Sequence, residues 1–435
     1  MRNRLRFAVI AALVGTATMP RADTVRATST SMMVSGPDYR DGAVQTVVPV
    51  YQMLDLSATD VQTPYTDNLE LTLSTWGAAD LDSARFGTGV WQNGAMIDSR
   101  LTGDINLMFL RADFLDRTVS LRIGRQIVAD GTARMIHLDG ANLQLALPGG
   151  FGLSGYAGTP VQPRFEARGG PMTVGNTEAT FASGGRASWR YPGLLEVGAS
   201  VAFATDHGDP SRQEVGADFR LTPHEMISLV GSGWWSLYED RMGEGSIAAV
   251  LTPVRHLEVS LDYRHVEPDL FLPRNSILSV FAADKRDDVG GSVHWAVQKD
   301  LALDVDYHAL FEPAGDGNWA RAKGTYHPGG PSNTLGAEAS WLDEPDNGYV
   351  LTRLFGATTL AALTGTLDLY GYFFRNAING QDRALTATAT IGYEIMHGWR
   401  ALIAGTAGTT AYLSSQFDLM VKLVYDQTYS LREVR

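Results

Sequence analysis

The stretch that decides the fold reads Leu257-Glu258-Val259-Ser260-Leu261-Asp262-Tyr263-Arg264, with apolar residues at the odd positions and polar residues at the even ones. Successive side chains of an extended strand point to opposite faces, so this stretch predicts a strand with one apolar and one polar face. The same alternation recurs at 301–308, 385–393 and 417–426, and it dominates the chain from residue 24 to residue 427. No comparable stretch shows the 3.6-residue period that indicates an amphipathic helix.

Two kinds of connection alternate between these segments. Tight turns such as Pro148-Gly149 and His397-Gly398 are followed by longer, charged connections such as 159–178, 343–348 and 375–381. Short turns on one side and longer loops on the other are typical of an up-and-down membrane barrel. Counting the segments predicts about 22 strands, within a range of about 16 to 22, and an even number places both ends of the barrel on the same side.

Composition favours a membrane barrel over a soluble β-sandwich or propeller. Only 19% of the 435 residues are charged, whereas soluble domains average ~25%, and half of each membrane strand faces lipid. A propeller would repeat a shared signature every ~40–50 residues, and no such repeat is found. The apolar face carries aromatic residues near the segment ends, where Tyr and Trp meet the membrane–water boundary. They are Trp189, Tyr191, Trp295, Tyr307, Tyr326, Trp341, Tyr393 and Trp399. We therefore predict an all-β fold, a closed antiparallel up-and-down transmembrane β-barrel.

The N-terminus has the pattern of a secretory signal peptide. Arg2, Arg4 and Arg6 precede a short apolar segment, 7–14, and small residues follow. We expect residues 1–22 to be cleaved and residues 23–435 to form the barrel, in the outer membrane of a Gram-negative bacterium and surrounded by its lipid. Because the strands begin near residue 24, we expect no separate plug domain ahead of them.

Charge and composition argue against several function classes. The net charge of −13 is unfavourable for a nucleic-acid partner, and the absence of cysteine excludes a disulfide framework and thiolate metal sites. No G-x-S-x-G elbow is present, so we predict no enzyme, no cofactor and no metal. An outer-membrane enzyme, with a His and a Ser or acid near the rim, remains the less favoured alternative.

If the apolar face contacts lipid, the polar face lines a lumen. Its members carry both signs of charge, so we predict no strong ion selectivity. The lumen-facing candidates are Arg122, Arg186, Arg190, Arg220, Glu258, Asp262, Arg264, Asp304, Asp306, His308, Arg321, Lys323, Glu338 and Asp368. Asp304, Asp306 and His308 share one strand face and would suit a divalent cation, but a water-filled lumen collects such residues by default. The alternative to a selective lumen is that these charges only pair with each other.

One pair of short motifs carries a resemblance to known proteins. Leu121-Arg122-Ile123-Gly124-Arg125-Gln126, a strand with a GRQ ending, is followed by Leu138-Asp139-Gly140. On these motifs the chain after residue 22 resembles outer-membrane barrels of myxobacteria and related deltaproteobacteria, and more distantly barrels of the porin and alginate-export type. The resemblance implies a barrel that serves polysaccharide secretion in some relatives, and motility or adhesion in others.

Two classes of function remain open. The first is a channel or conduit across the outer membrane for a polar solute or polymer, with polysaccharide export as its sharper form and periplasmic export or envelope proteins as partners. The second is a structural barrel that anchors envelope machinery without transport. The connection 267–286 carries several large apolar residues, so we expect it either to fold inward and narrow the lumen or to extend a strand above the membrane.

Overall fold

The structure is a computed structural model that describes residues 24–40, 43–81, 86–92, 95–99, 101–131, 135–161, 180–206, 208–271 and 285–430. The predicted signal peptide, 1–22, lies outside the described residues. The chain forms an all-β closed antiparallel barrel of 22 strands, with 82% of its residues in strands and 2% in helices. The predicted fold class and strand number are therefore confirmed. No helix within the described residues has the length and hydropathy that crossing a membrane requires.

The described strands are numbered in chain order. They are β1 (Thr24–Arg40), β2 (Ala43–Val47), β3 (Pro49–Thr63), β4 (Thr66–Asp80), β5 (Phe86–Gln92), β6 (Ala95–Ser99), β7 (Leu101–Phe114), β8 (Val119–Val128), β9 (Ile136–Leu147), β10 (Phe151–Pro160), β11 (Phe181–Tyr191), β12 (Leu195–Asp206), β13 (Asp209–His224), β14 (Ile227–Ser236), β15 (Arg241–Val254), β16 (Leu257–Val266), β17 (Arg286–Gln298), β18 (Leu301–Glu312), β19 (Gly315–Tyr326), β20 (Asn333–Asp343), β21 (Gly348–Leu360), β22 (Leu363–Ile378), β23 (Gln381–Met396), β24 (Trp399–Gly408) and β25 (Gln416–Ser430). Within the described residues, two short 3₁₀ helices occupy Pro148–Gly150 and Pro268–Phe271.

Pairing between the first and last strands closes the barrel. Strands β1 and β25 pair in antiparallel register from Thr24 with Ser430 to Ser35 with Leu419. The other barrel strands, β3, β4 and β7 to β24, pair with their neighbours along the chain. Strand β2 extends only β1, and β5 pairs with β6 in a separate hairpin. Closure satisfies every strand edge, which is what a β-structure in hydrocarbon requires.

The two ends of the barrel differ in their connections. One end, the tight-turn end, carries the hairpins that join β7 to β8, β9 to β10 and each later odd-numbered strand to the next. Thr24 pairs with Ser430 at this end, so both ends of the barrel lie on the same side, as predicted. The opposite end carries the long connections between β1 and β3, β4 and β7, β10 and β11, and β16 and β17.

Some connections that we expected to be long are tight. In 343–348 only Glu344 to Asn347 lie between β20 and β21, and in 375–381 only Asn379 and Gly380 separate β22 from β23. Strands β21 to β23 extend beyond the ~9–11 residues that a crossing needs, and the polar residues at their ends resemble those of a loop. Of the four long connections, three therefore precede β11 and one joins β16 to β17.

Each barrel strand has an apolar face and a polar face, named here by their side chains. On the apolar face, large side chains are exposed, among them Leu261 at 59%, Val305 at 50% and Ile391 at 64%. On the polar face, residues at alternate positions meet across strands, as Asp306, Arg321 and Ser340 do in β18 to β20. Exposed apolar side chains along one whole face are characteristic of a surface that meets lipid.

Candidate functional site

The predicted lumen-facing residues of β11 to β13 form ion pairs on the polar face. Arg186 bonds Asp218, with Nε at 3.1 Å from Oδ2, and approaches Glu196 at 3.8 Å. Its guanidinium crosses Gly198 of β12, where a Cβ would lie 2.6 Å from Nε. Glycine at position 198 thus lets β11 and β13 be bridged over the strand between them.

Two more candidates complete this sector. Arg190 bonds Glu196 at 2.8 Å, and Arg220 stands opposite Glu196 in register. Arg220 also lines a recess of about 390 Å³ together with Asp218, Ser232 and Ser246. The recess is lined by charges of both signs and by hydroxyl groups, and not by a single sign of charge.

The sector of β15 to β18 pairs its charges in the same way. Arg264 bonds Glu244 at 2.7 Å, His294 Nδ1 lies 2.6 Å from Asp304 Oδ1, and His308 Nδ1 lies 3.7 Å from Asp262 Oδ2. Glu258 is exposed and stands opposite His294.

The cation site suggested at Asp304, Asp306 and His308 does not assemble. The three side chains bond different partners, since Asp306 accepts from Arg321 at 2.8 Å. No group of three or more His, Cys, Asp or Glu side chains in the described parts of the chain is placed to hold a metal ion.

A cluster of aromatic and cationic side chains covers the polar face from β19 to β22, and we call it the aromatic cluster. Its members are Trp319, Arg321, Lys323, Glu338, Tyr349, Arg353, Phe355, Asp368, Tyr370, Tyr372 and Phe374. Arg321 Cζ lies 5.6 Å from the ring centroid of Trp319, and Lys323 Nζ lies 5.8 Å from that of Phe355. Such distances are those of cation–π contacts.

Arg353 is the centre of the aromatic cluster. Its guanidinium lies 4.7 Å from the ring centroid of Phe355 and 5.0 Å from that of Tyr370. It also forms two hydrogen bonds with Asp368, at 2.8 and 2.6 Å, and lies 3.6 Å from Glu338. A planar guanidinium bonded by two acids and flanked by two rings is held in one orientation.

Sequence reasoning missed Arg353 and the aromatic part of this cluster. Strand β21 has large apolar residues in both of its alternate sets, one of which is Tyr349, Leu351, Arg353 and Phe355. Alternation therefore did not show which set belongs to the polar face. The charge of Arg353 itself was the usable signal, because a charged side chain in such a strand belongs on the polar face.

The polar face of β8 to β10 differs from that of the aromatic cluster because several of its side chains are buried. Leu138 and Gln126 are fully buried, and Asn142 is 2% exposed. Arg122, the remaining candidate, is half-buried with its Cζ 4.8 Å from the ring centroid of Phe109. This wall is therefore not accessible over much of its polar face.

Residues 129–131, which follow β8, provide part of that cover. Asn142 donates to Asp130 at 3.2 Å. Gly131 lies against Arg186 and Ser200, since a Cβ there would be 2.8 Å from Arg186 Cδ and 3.2 Å from Ser200 Cβ. Both residues belong to the polar face of β11 and β12, so residues 129–131 lie across that face rather than away from the barrel.

The start of the β16–β17 connection also lies on the polar face. Phe271 packs edge-on against Trp234 of β14 with ring centroids 5.6 Å apart, and Trp234 is only 4% exposed. Arg241 anchors the same segment through Glu267 at 2.7 Å and Asp269 at 2.8 Å. Residues 272–284 of the connection lie outside the described residues, and whether they narrow the lumen stays a prediction.

The motifs that carried the resemblance form one structural unit. Arg125 of the GRQ ending donates to both carboxylate oxygens of Asp139, each at 2.8 Å, and to Asp104 at 3.1 Å. These bonds tie β7, β8 and β9 together. The motif is thus part of the wall's construction.

Comparison with known proteins gives the fold a context. No protein-family model and no curated protein sequence matches the chain. Among solved structures, the translocation pore of the P pilus usher, PapC, matches with a TM-score of 0.51 at 9% identity, over 93% of this chain and all of the other. The chain has the fold of a bacterial outer-membrane β-barrel.

Two other solved barrels resemble the chain at lower structural similarity. OccAB4 of Acinetobacter baumannii matches with a TM-score of 0.47 at 10% identity, over 94% of this chain and 99% of the other. OpdK of Pseudomonas aeruginosa matches with a TM-score of 0.45 at 9% identity, over 93% of this chain and 99% of the other. Identities this low concern the fold and say nothing about a shared solute.

Proposed function

We propose that the chain forms a water-filled channel across the outer membrane for polar solutes, with its polar face lining the lumen. The observation that carries this is the placement of the predicted charged residues on one face of a closed barrel of 22 strands. Closure around this many strands encloses a space far wider than side chains fill. Charged residues on its wall need water, and the opposite, apolar face suits lipid.

The ion pairs support a channel without strong charge selectivity. Arg186, Arg264, Arg321 and Arg353 each bond an acid on the polar face. Paired charges present little net field to a passing ion, whereas rings of one sign would select. The same pairs also join neighbouring strands, which agrees with the alternative that these charges only pair with each other.

The sharper form of the proposal is export of a polysaccharide with the help of periplasmic or envelope proteins. The resemblance to myxobacterial barrels supports this form, and the source of the chain remains a prediction. A purely structural barrel without transport is the second candidate. The segments laid over the polar face at 129–131 and at Phe271 favour it, because they obstruct part of the lumen.

Conductance in planar bilayers tests the channel. The purified barrel should insert and give stepwise currents with similar permeability for K⁺ and Cl⁻. Folded, inserted protein without current would contradict the channel and support the structural barrel. Surface polysaccharide secreted by a deletion strain tests the export form, since a conducting channel whose loss leaves secretion unchanged would be a general pore.

Processing and chemistry complete the proposal. We propose cleavage after residue 22, which N-terminal sequencing of the membrane-inserted protein tests directly. We propose no catalytic activity, and the usher structure that shares the fold is described as a translocation pore.

A further inference from the structure

Three partly exposed rings lie side by side on the polar face at β21 and β22. Tyr349 and Tyr372 meet edge-on with ring centroids 5.4 Å apart, and Tyr372 lies nearly parallel to Phe374, at 15° and 6.4 Å. All three are intermediate in exposure. Aromatic rings that stay exposed to water forgo the free energy that their burial would contribute. Their presence among charged groups therefore requires a structural or functional reason.

The neighbouring side chains fix the surface on which these rings lie. Phe355 lies over Gly336 of β20, where any larger side chain would collide with its ring. Arg353 is held between Phe355 and Tyr370 by its bonds to Asp368. A surface whose rotamers are already fixed loses little entropy when it binds a ligand.

The charges around the rings cancel. Arg321 is paired with Asp306, and Arg353 with Glu338 and Asp368. The cluster's three cations, Lys323 included, face its own two carboxylates and Asp306 of the adjoining β18, so this part of the wall has no excess positive charge to attract an anion. Its guanidinium and carboxylate edges offer donors and acceptors side by side.

These features complement one ligand chemistry. A pyranose ring has an apolar face of C–H groups and a rim of hydroxyls, each of which both donates and accepts. Aromatic faces receive the C–H face, and paired guanidinium and carboxylate groups receive the hydroxyls. We infer that the aromatic cluster is a binding subsite for uncharged saccharide chains within the channel. The inference rests on the proposed function, because it places the subsite on the lumen wall.

Current block by defined sugars tests the subsite. Maltohexaose and cellohexaose are added to single channels in a planar bilayer, and the concentration that halves the current is measured. Tyr372→Ala or Phe374→Ala should raise that concentration about fivefold, because each removes one of the aromatic faces that receive the C–H face of the sugar. Phe373→Ala is the matched control, because Phe373 lies between them in β22 but is 44% exposed on the apolar face. It should leave the block unchanged.

Each other outcome has a distinct meaning. Channels that conduct but are blocked by neither hexaose would overturn the subsite and leave the channel standing. The same conclusion would follow if Phe373→Ala weakened the block by the hexaoses as much as Tyr372→Ala does. Block by benzoate alone, lost in Tyr372→Ala, would assign the rings to an aromatic carboxylate instead. If the wild-type protein does not conduct, the channel fails, and calorimetric titration of the folded protein in detergent with both hexaoses decides the subsite separately.

Discussion

Two parts of the barrel wall have the same strand pattern but differ in how far the side chains of their polar faces are buried. In β8 to β10, the covered wall, Leu138 and Gln126 are fully buried, and residues 129–131 lie across the polar face of β11 and β12. In β19 to β22, the open wall, rings and ion pairs remain partly exposed and the connections are tight. Alternation therefore specifies the barrel, whereas the connections decide which part of the polar face meets water.

The largest expected effect separates the two walls by stability. Leu138→Ala in the covered wall should lower the free energy of unfolding by about 2–5 kcal/mol, because it leaves a cavity among fully buried neighbours. Leu351→Ala, on the polar face of the open wall, should cost about 1 kcal/mol or less, since Leu351 is already partly exposed. Urea titration of both variants in lipid vesicles measures this. Equal losses would show that the open wall is packed as tightly as the covered one.

The next prediction holds that the two walls are alike on their apolar faces. Ile123 in β8 is 53% exposed and Leu354 in β21 is 57% exposed, and both lie near the middle of their strands. Replacing either with Arg should cost about 2–4 kcal/mol, because a charge near the bilayer midplane is poorly solvated. The same titration applies, with Thr352→Arg as a second position on the apolar face of β21. A cost for Leu354→Arg far below that for Ile123→Arg would mean that β21 faces protein or water instead of lipid.

The features that the sequence predicts differ between the covered wall and the open wall, and the reason is physical. Period-2 alternation gave the closed barrel and its strand number, because the pleat assigns side chains to faces wherever one set is polar. In Tyr370-Gly371-Tyr372-Phe373-Phe374 both alternate sets contain aromatic residues, so only pairing with β21 shows that Tyr372 and Phe374 share the face of Arg353. The inward path of Asp130 and Gly131 had no sequence signal, since short polar connections look alike whichever way they fold.

A smaller effect concerns the ion pairs of the two walls. Arg353→Gln would leave Glu338 and Asp368 without their cation, costing about 1–2 kcal/mol of stability and making the open wall net negative. We expect the reversal potential in a KCl gradient to shift toward K⁺. Arg186→Gln is the matched variant, because it removes the cation that Asp218 bonds beside the segment 129–131, while Glu196 keeps its bond to Arg190. A shift for Arg186→Gln as large as that for Arg353→Gln would show that ions pass equally close to both walls.

The smallest effect tests whether a second connection adds cover. Phe271 lies on Trp234 at the start of the β16–β17 connection, and an aromatic pair of this kind contributes about 0.5–1.5 kcal/mol. Phe271→Ala should therefore raise only a few-fold the fraction of time that the segment spends away from the polar face. It should not release the segment fully, because Arg241 still bonds Glu267 and Asp269. The expected readout is a modest rise in single-channel conductance or in the frequency of a larger open level. Phe311→Ala controls for loss of a ring, since Phe311 lies on the apolar face of β18 at 43% exposure and should leave the conductance unchanged. If Phe271→Ala and the double variant Phe271→Ala/Arg241→Ala both conduct like the wild type, this start of the connection does not restrict the channel, and residues 129–131 over β11 and β12 are left as the cover that the described residues show.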